Sequence, residues 1–326
     1  MSHRKLNILI FAIAASVCIL SCKKDDETTV TPSLSGALSF NIPEYVSPNT
    51  TLTLIPSGVT HPEDGNLGYY WKVTPTMPKA DTTRYENGLD KNGKPSDGSF
   101  TFTFSDTLQT CTISGYAYAK GYSYTMKSVE STVVEGGIDG SITNLGLADK
   151  PSITVDSIVY PYVTIAGLDW LCRNIADKSC GTPYKNSDEM SDVFGRYYSY
   201  EEAKTICPEG WRLPTDADWE AAAEAHDNKM AALMGNAYFN GNLMWEYWPA
   251  VGDITNESGL SLIPAGYAML SSNTQFRGLN EYAAFWTSDT DEAGMAKYRY
   301  IICNQPEFIT GISDTNTFGA SVRCVR

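Results

Sequence analysis

Apolar and polar residues alternate over residues 36–135, the pattern of β-strands that bury one face. The alternating runs are LSFNI, TLTLIP, YYWKVTP, SFTFTFSD, TCTISGYAYA and YSYTMKSVESTVV. Clusters of Pro, Gly, Asn and Asp separate them at intervals of roughly 8–12 residues, which is typical of an antiparallel sandwich. The pattern therefore predicts an all-β domain over residues 36–135.

This first domain is similar to Ig-like and PKD-like modules, in which a buried tryptophan packs between two sheets. Trp71 lies in the middle of YYWKV and is expected at that position. Cys111 is expected to be a buried core thiol. We predict that the domain is a spacer that lifts the next domain off a membrane, and the alternative is a binding role of its own.

A composition break follows at EGGIDGS, which begins at Glu135. Turn-forming residues of this kind are typical of a domain boundary. We predict a linker over residues 136–150 and a second domain over residues 151–326. Two domains also agree with the chain length of 326 residues.

The second domain mixes strand patterns with two short helix patterns. ITVDSIVYPYVTIAGLDWL predicts an opening β-hairpin. A first helix is predicted over residues 200–206, with Ser199 and Glu202 forming a capping box. A second helix is predicted after Thr215, with Asp218 in the same capping role. The apolar face of the second helix comprises Trp219, Ala222, Ala223 and His226.

The N-terminus has the layout of an export signal. A basic segment precedes the apolar run over residues 6–20, which is too short to cross a bilayer of roughly 30 Å as a helix. The run ends in ILSC, which resembles a bacterial lipobox whose cysteine, Cys22, is acylated. We predict a signal peptide over residues 1–21 and a lipidated flexible tether over residues 22–35, so that the lipid makes the membrane a partner. A plain secretory signal is the alternative.

The tether begins with KKDDE, which is similar to the export signal of Bacteroidetes surface lipoproteins. The resemblance implies an outer-membrane lipoprotein exposed on the cell surface, and the alternative is one that faces the periplasm. The formal net charge of −14 argues against a nucleic-acid partner, because phosphate backbones are held by clustered Lys and Arg. An aromatic content of 12% fits β-rich domains that contact ligands outside the cytoplasm.

Cysteine usage agrees with an oxidising compartment. Of the 8 cysteines, Cys18 leaves with the predicted signal peptide and Cys22 carries the lipid. The others are Cys111, Cys172, Cys180, Cys207, Cys303 and Cys324. In a cell envelope we expect disulfides among them, and the absence of a CxxC spacing removes the basis for a zinc ribbon or a thioredoxin-like site. The spacing alone leaves the connectivity open.

The order of motifs in the second domain resembles the Fibrobacter succinogenes major paralogous domain. The motifs are GW-x-LPT from Gly210, PAG from Pro264, FWT from Phe285 and SVRCVR from Ser321. The resemblance implies an α+β fold related to C-type lectins, in which the first helix packs beside the last strand. This layout implies a bond between Cys207 and Cys324. A local bond between Cys172 and Cys180 is a further candidate.

The sequence offers little for catalysis. After signal cleavage the histidines are His61 and His226, in different domains, so a Ser-His-Asp or Cys-His site would have to rest on one of them. Formylglycine-generating relatives use a pair of cysteines in the active cleft. A bond between Cys207 and Cys324 would make Cys324 unavailable for such a pair. We therefore predict a protein that is not an enzyme and has no metal or cofactor. A weak calcium site is left open at Asp289, Asp291 and Glu292.

The stretch over residues 231–280 is long and irregular. Long loops on a rigid scaffold often carry binding residues, through aromatic faces and directional hydrogen bonds. The candidate ligand-binding residues are Tyr238, Asn242, Trp245, Asn273, Gln275 and Arg277. For Trp245 the alternative is a position in the core.

These features together predict a non-catalytic, outer-membrane-anchored binding protein. Its lectin-like domain would recognise an extracellular glycan or protein at the end of a sandwich stalk. The alternatives are a structural subunit of the cell envelope or of an appendage, and a formylglycine-generating-like enzyme.

Overall fold

The computed structural model describes residues 30–76, 89, 94, 96–245, 253–305 and 307–326. The predicted signal peptide, the lipidation site Cys22 and most of the predicted tether lie outside the described residues. Within the described ranges, none of the helices has both the length and the apolar character that crossing a membrane requires.

Strands dominate the described chain, and the short helices all lie in its C-terminal half. The strands are β1 (Ser35–Ser39), β2 (Tyr45–Val46), β3 (Thr51–Leu54), β4 (Ser57–Thr60), β5 (Gly68–Thr74), β6 (Phe100–Thr103), β7 (Thr110–Tyr118), β8 (Thr125–Val133), β9 (Ile142–Thr143), β10 (Ser152–Val155), β11 (Ile158–Ile165), β12 (Leu168–Leu171), β13 (Thr182–Pro183), β14 (Arg196–Tyr197), β15 (Tyr238–Phe239), β16 (Asn242–Leu243), β17 (Tyr267–Met269), β18 (Gln275–Arg277), β19 (Tyr282–Thr290), β20 (Ala296–Ile302), β21 (Ile309–Ser313) and β22 (Phe318–Gly319). The α-helices are α1 (Ser191–Phe194), α2 (Tyr200–Ala203), α3 (Asp216–Glu224) and α4 (Met230–Leu233), and 3-10 turns span Tyr184–Asn186 and Asp188–Met190.

The N-terminal half is an all-β unit built around Trp71. A four-stranded sheet in the order β2-β8-β7-β5 and the pairs β1-β4 and β3-β6 enclose one core. The Trp71 ring stacks on Phe100 at 5.5 Å and meets the edge of Phe40 at 5.0 Å, and its N–H donates to the Gly98 carbonyl at 2.9 Å. Trp71 and Cys111 are both fully buried, as predicted. The likeness to Ig-like and PKD-like modules stays a prediction.

The two halves of the chain are in direct contact. The rings of Tyr45 and Tyr184 lie 6.3 Å apart, and Glu44 forms an ion pair with Lys185. Val134, at the end of the N-terminal half, is buried in a core made mainly of C-terminal residues. A pair of aromatic rings and a shared core fix the junction more firmly than a free connection would.

The segment predicted as a linker packs as part of the C-terminal half. Its Gly-rich composition predicts a spacer, whereas Ile142, Leu145 and Leu147 are buried in the same core as the residues that follow. The segment also supplies strand β9, which pairs with β15. The apolar residues between the glycines account for the difference, because they gain stability from leaving water. The other predicted domain bounds, residues 36–135 and residues 151–326, stay predictions.

Residues 320–325 run through the middle of the C-terminal half. They form backbone bridges with Trp170, Tyr198, Arg212 and Phe285, which come from well-separated parts of the sequence. The predicted opening hairpin is confirmed, since β11 pairs with both β10 and β12. Strand β12, which belongs to this hairpin system, therefore lies beside the segment over residues 320–325. The C-type-lectin-like fold itself stays a prediction.

Both predicted capping boxes are present, at Ser199 before α2 and at Thr215 before α3. α2 is shorter than the predicted residues 200–206, because a turn follows it directly. α3 ends before His226, so that this histidine does not join the buried face of the helix. A left-handed residue, Asp227 with φ 55°, follows and prevents the helix from continuing.

A disulfide joins Cys207 to Cys324, with the two Cα atoms 5.8 Å apart. This is the pair that the family layout implies. Cys172 and Cys180 are free thiols, so the predicted local bond between them is wrong. The Cys172 thiol points into the core, 3.4 Å from the Gly259 carbonyl, whereas Cys180 packs against a different cluster and is partly exposed.

The arginine of the SVRCVR motif, Arg323, is buried at the centre of this half. Its Nε donates to Asn174 Oδ1 at 2.7 Å. Its terminal nitrogens donate to the carbonyls of Leu171, Leu260 and Ser261 at 2.9–3.1 Å. Burial lowers the pKa of Arg323 to about 9, so the guanidinium is still charged at neutral pH. One charged side chain thus connects four neutral acceptors from two other segments of the chain.

Candidate ligand-binding groove

Strand register gathers aromatic side chains on one side of the C-terminal half. Tyr298 and Tyr300 are two residues apart on β20 and so point to the same face of the sheet. Pairing with β19 places Tyr282 on this face, opposite Ile302. Strands β17 and β22 of the adjoining sheet add Tyr267 and Phe318. No single stretch of sequence contains the set.

The five rings form a closed circuit of contacts. The ring centroid of Tyr267 lies 5.7 Å from that of Tyr282 and 5.4 Å from that of Phe318. Tyr300 lies 6.3 Å from Tyr282, nearly parallel to it, and 5.6 Å from Tyr298. Tyr298 closes the circuit 4.5 Å from Phe318. These rings line an open cavity of about 380 Å³, which we call the tyrosine groove. Its volume falls within the range of roughly 300–1,000 Å³ that is typical of small-ligand sites.

Buried residues that contact the rings of the tyrosine groove fix their positions. Trp286 is fully buried, donates its N–H to the Tyr198 carbonyl at 2.7 Å and touches Tyr298 and Phe318 edge-on. Gly311 lies opposite Tyr298 on β21, and a Cβ atom there would lie 2.3 Å from the Tyr298 ring. The glycine therefore makes the space in which this ring lies flat across the strand. A ligand would meet a surface that is already organised.

The tyrosine groove is electrically neutral. Its described lining consists entirely of uncharged side chains, namely Tyr267, Met269, Tyr282, Ala284, Tyr298, Tyr300, Ile302, Ser313 and Phe318. Burial, followed by the neighbouring phenols, raises the pKa of Tyr282 and of Tyr298. Tyr282 and Tyr298 therefore stay protonated at neutral pH, and every tyrosine of the groove combines a π face with a hydroxyl that donates or accepts. Such a lining suits an uncharged ligand that carries both apolar faces and hydroxyl groups.

The sequence model described as the Fibrobacter succinogenes major domain matches residues 163–326. The chain belongs to this family. All the residues that line the tyrosine groove lie within the matched part, called the major domain below. The resemblance noted from the GW-x-LPT and SVRCVR motifs is thereby confirmed.

Two further comparisons add little. Among solved structures, the adhesin InvE of Yersinia pseudotuberculosis is similar at 11% identity and a TM-score of 0.26, over 90% of this chain and 71% of that chain. A likeness at this level carries no argument about fold or function. A search of the curated proteins gives no match.

Three of the predicted ligand-binding residues lie at the border of the tyrosine groove. Gln275 and Arg277 on β18 pair with Met269 and Tyr267 on β17, so they share the face that lines the groove. Both side chains are exposed. Asn273 belongs to the turn before β18, and its carbonyl accepts a hydrogen bond from Gln275 Nε2 at 3.2 Å. The β17-β18 hairpin therefore brings these three polar residues together, with Arg277 directly beside Tyr267.

The other three candidates lie elsewhere. Tyr238 and Asn242 belong to the β15-β16 hairpin, which pairs with β9, and neither lines the tyrosine groove. Trp245 is 1% exposed and donates its N–H to the Leu262 carbonyl at 3.3 Å. Its prediction as a ligand-binding residue is wrong, because it packs in the core with Trp219. Tyr238 and Asn242 stay predictions without a described site.

Sequence analysis missed the tyrosines that line the groove. Tyr267, Tyr282, Tyr298 and Tyr300 belong to strands, which the pattern assigns to the scaffold. One signal was available, because the YRY of AKYRYIIC places two aromatic rings on the same face of a predicted strand. The register that adds the other two rings is not visible in the sequence.

The candidate calcium ligands Asp289 and Asp291 instead accept hydrogen bonds that stabilise the local backbone. Asp289 Oδ2 accepts a hydrogen bond from the Asp216 N–H at 2.6 Å, at the start of α3. Asp291 Oδ1 accepts from the N–H groups of Ala293 and Met295 at 2.9 and 2.8 Å. Across the described ranges, no group of three or more His, Cys, Asp or Glu side chains is arranged to hold a metal.

Proposed function

We propose that this protein is a non-catalytic binding protein displayed outside the cell and that its major domain binds a glycan in the tyrosine groove. The closed circuit of aromatic rings, bordered by Gln275 and Arg277, is the observation that carries this proposal. Pyranose rings present apolar C–H faces and hydroxyl edges. Phenol rings stack on the former, while amide, guanidinium and hydroxyl groups bind the latter.

The cysteine chemistry supports a non-catalytic role. An enzyme of the formylglycine-generating type would need a pair of reactive thiols in its cleft. Cys324 is bonded to Cys207, and Cys303 is buried. Burial also raises the pKa of Cys172 to about 11, which keeps this thiol protonated and unreactive at neutral pH.

Surface display is part of the proposal and rests on the N-terminal sequence. Acylation of Cys22 would supply a stable anchor, since more than one acyl chain holds a protein far better than a single one. Replacing Cys22 by Ala should release the chain from the membrane fraction. Protease treatment of intact cells should remove the major domain of the wild-type protein, and protection of the domain would favour the periplasm-facing alternative.

The test of the groove is glycan-array binding by the chain without its predicted signal peptide. Tyr300→Ala removes a ring from the circuit and should weaken binding by about tenfold or more. Tyr162→Ala is the matched control, because it removes a partly exposed tyrosine outside the groove. Equal binding by wild type and Tyr300→Ala would refute the groove as the site. Binding to no glycan would favour the protein ligand considered as the alternative.

A further inference from the structure

The N-terminal half carries its own cluster of tyrosines on a solvent-facing sheet surface. Tyr70, Tyr116, Tyr118 and Tyr124 line an open cavity of about 260 Å³. The cluster lies on the sheet β2-β8-β7-β5, away from the core around Trp71. We call it the sandwich face. It shares no residue with the tyrosine groove.

The rings of the sandwich face form a row across the sheet. Tyr70 pairs with Tyr116 across β5 and β7, and their ring centroids are 5.6 Å apart. Tyr116 pairs with Met126 on β8, and its ring lies 5.8 Å from that of Tyr124. Strands β5 and β7 and the turn before β8 thus contribute rings to one continuous aromatic strip, and β8 adds Met126 beside it.

The strip is exposed to a degree that packing within the chain does not explain. Tyr124 is 64% exposed and Met126 is 46% exposed, among the largest exposed apolar side chains of the described residues. The opposite side of the same sheet holds Trp71, Cys111 and Ile113, all fully buried. The core would therefore lose little if the strip were polar. An exposed cluster of this kind marks a contact site.

The far end of the same sheet surface has the composition of an ordinary solvated sheet. Thr110 and Thr132 hydroxyls bond to each other at 2.9 Å, and Ser114 and Ser128 hydroxyls do so at 2.8 Å. These pairs occupy two of the rows that follow the tyrosines along the same strands, and Thr112 with the exposed Glu130 forms the row between them. The aromatic residues are therefore concentrated at one end of the surface rather than spread over it.

Charge selects the kind of ligand. The described lining of the cavity consists of tyrosines and holds no carboxylate or ammonium group, and the exposed Lys72 lies in the next row of the same face, paired with Ser114. The chain as a whole has a net charge of −14 and repels polyanions. We infer that the sandwich face is a second binding site, for an uncharged oligosaccharide that lies along the row of rings.

With such a site the N-terminal half is a binding module rather than a spacer. The sandwich face and the tyrosine groove share no residue, so neither site depends on the other. Two sites on one chain let a polysaccharide engage both, and the second contact then benefits from a high effective concentration.

The test uses native gels of the chain without its signal peptide, cast with one polysaccharide at a time. The uncharged probes are dextran, soluble starch, laminarin and glucomannan, and alginate is the acidic probe. The variants are Tyr124→Ser and Tyr116→Ser for the sandwich face, and Tyr300→Ala for the groove. Thr110→Ala with Thr132→Ala is the control at the far end of the same surface.

At least one uncharged polysaccharide should retard the wild type and the control alike, and Tyr124→Ser should weaken this binding by about tenfold. Tyr300→Ala should leave the contribution of the sandwich face intact, so that failure of the groove and failure of the sandwich face give different results. Tyr124→Ser is decisive on its own, because its side chain is mostly in solvent and its loss does not disturb the core. Retardation of the wild type and of Tyr124→Ser to the same extent in every uncharged gel overturns the inference. So does selective loss in alginate alone.

Discussion

Breaking the bond between Cys207 and Cys324 should destabilise the major domain by several kcal/mol. The two cysteines are 117 residues apart in sequence, so the bond closes a long loop in the unfolded chain. The loop-entropy relation gives a stabilisation of about 5 kcal/mol for a loop of this length. Whole domains are stable by only roughly 5–15 kcal/mol, so the loss is a large part of the total.

The assay is urea unfolding of the chain without its predicted signal peptide, followed by tryptophan fluorescence. The variant replaces Cys207 and Cys324 by Ser, and Cys180→Ser is the matched control because it removes a free, partly exposed thiol. The double variant should lose about 5 kcal/mol in its free energy of unfolding. Wild-type protein unfolded and refolded in a thiol reductant should give the same value as the double variant.

A loss below about 1 kcal/mol would refute the reasoning, because loop closure in the unfolded chain would then contribute almost nothing. A loss of the same size in Cys180→Ser would point instead to a general effect of serine at cysteine positions.

Three further predictions follow from single residues. Arg323→Lys should cost about 3 kcal/mol or more in unfolding free energy, since an ammonium group cannot reach the four acceptors of the guanidinium fork, and a near-neutral result would contradict that role. Burial raises the pKa of Tyr160 from 10.0 to about 12. The free energy of unfolding should therefore be unaffected by this group below pH 10 and should fall by about 3 kcal/mol as the pH rises to 12. Unfolding titrations at a series of alkaline pH values should show this slope, and Tyr160→Phe should reduce it. Gly311→Ala should displace the Tyr298 ring and weaken glycan binding in the groove, while the domain still unfolds in one cooperative transition. Unchanged affinity on the glycan array would contradict this.

Local signals made much of the fold predictable. The alternation in YYWKVTP requires only that one face of a strand be apolar, and it placed Trp71 correctly in the core. The capping boxes at Ser199 and Thr215 depend on residues three positions apart, so they too are visible in the sequence. The pairing of Cys207 with Cys324 came from the family layout, because spacing alone leaves the connectivity open.

The groove could not be predicted in the same way. Its rings come from β17, β19, β20 and β22, and the register between these strands decides which side chains meet. Trp245 shows the opposite error, since an aromatic residue among amides suggests a binding loop until tertiary contacts bury it. Leu145 and Leu147 were assigned to a linker because the glycines around them dominate the local composition.

The central position of residues 320–325 determines the order in which the two halves of the chain can fold. Their bridging partners, from Trp170 to Phe285, are synthesised earlier and must wait with these backbone groups unpaired. The N-terminal half can meanwhile complete its own core, because all its strands have already been synthesised. The major domain therefore closes only after synthesis has reached Cys324, and during that interval its unpaired strands are exposed to aggregation.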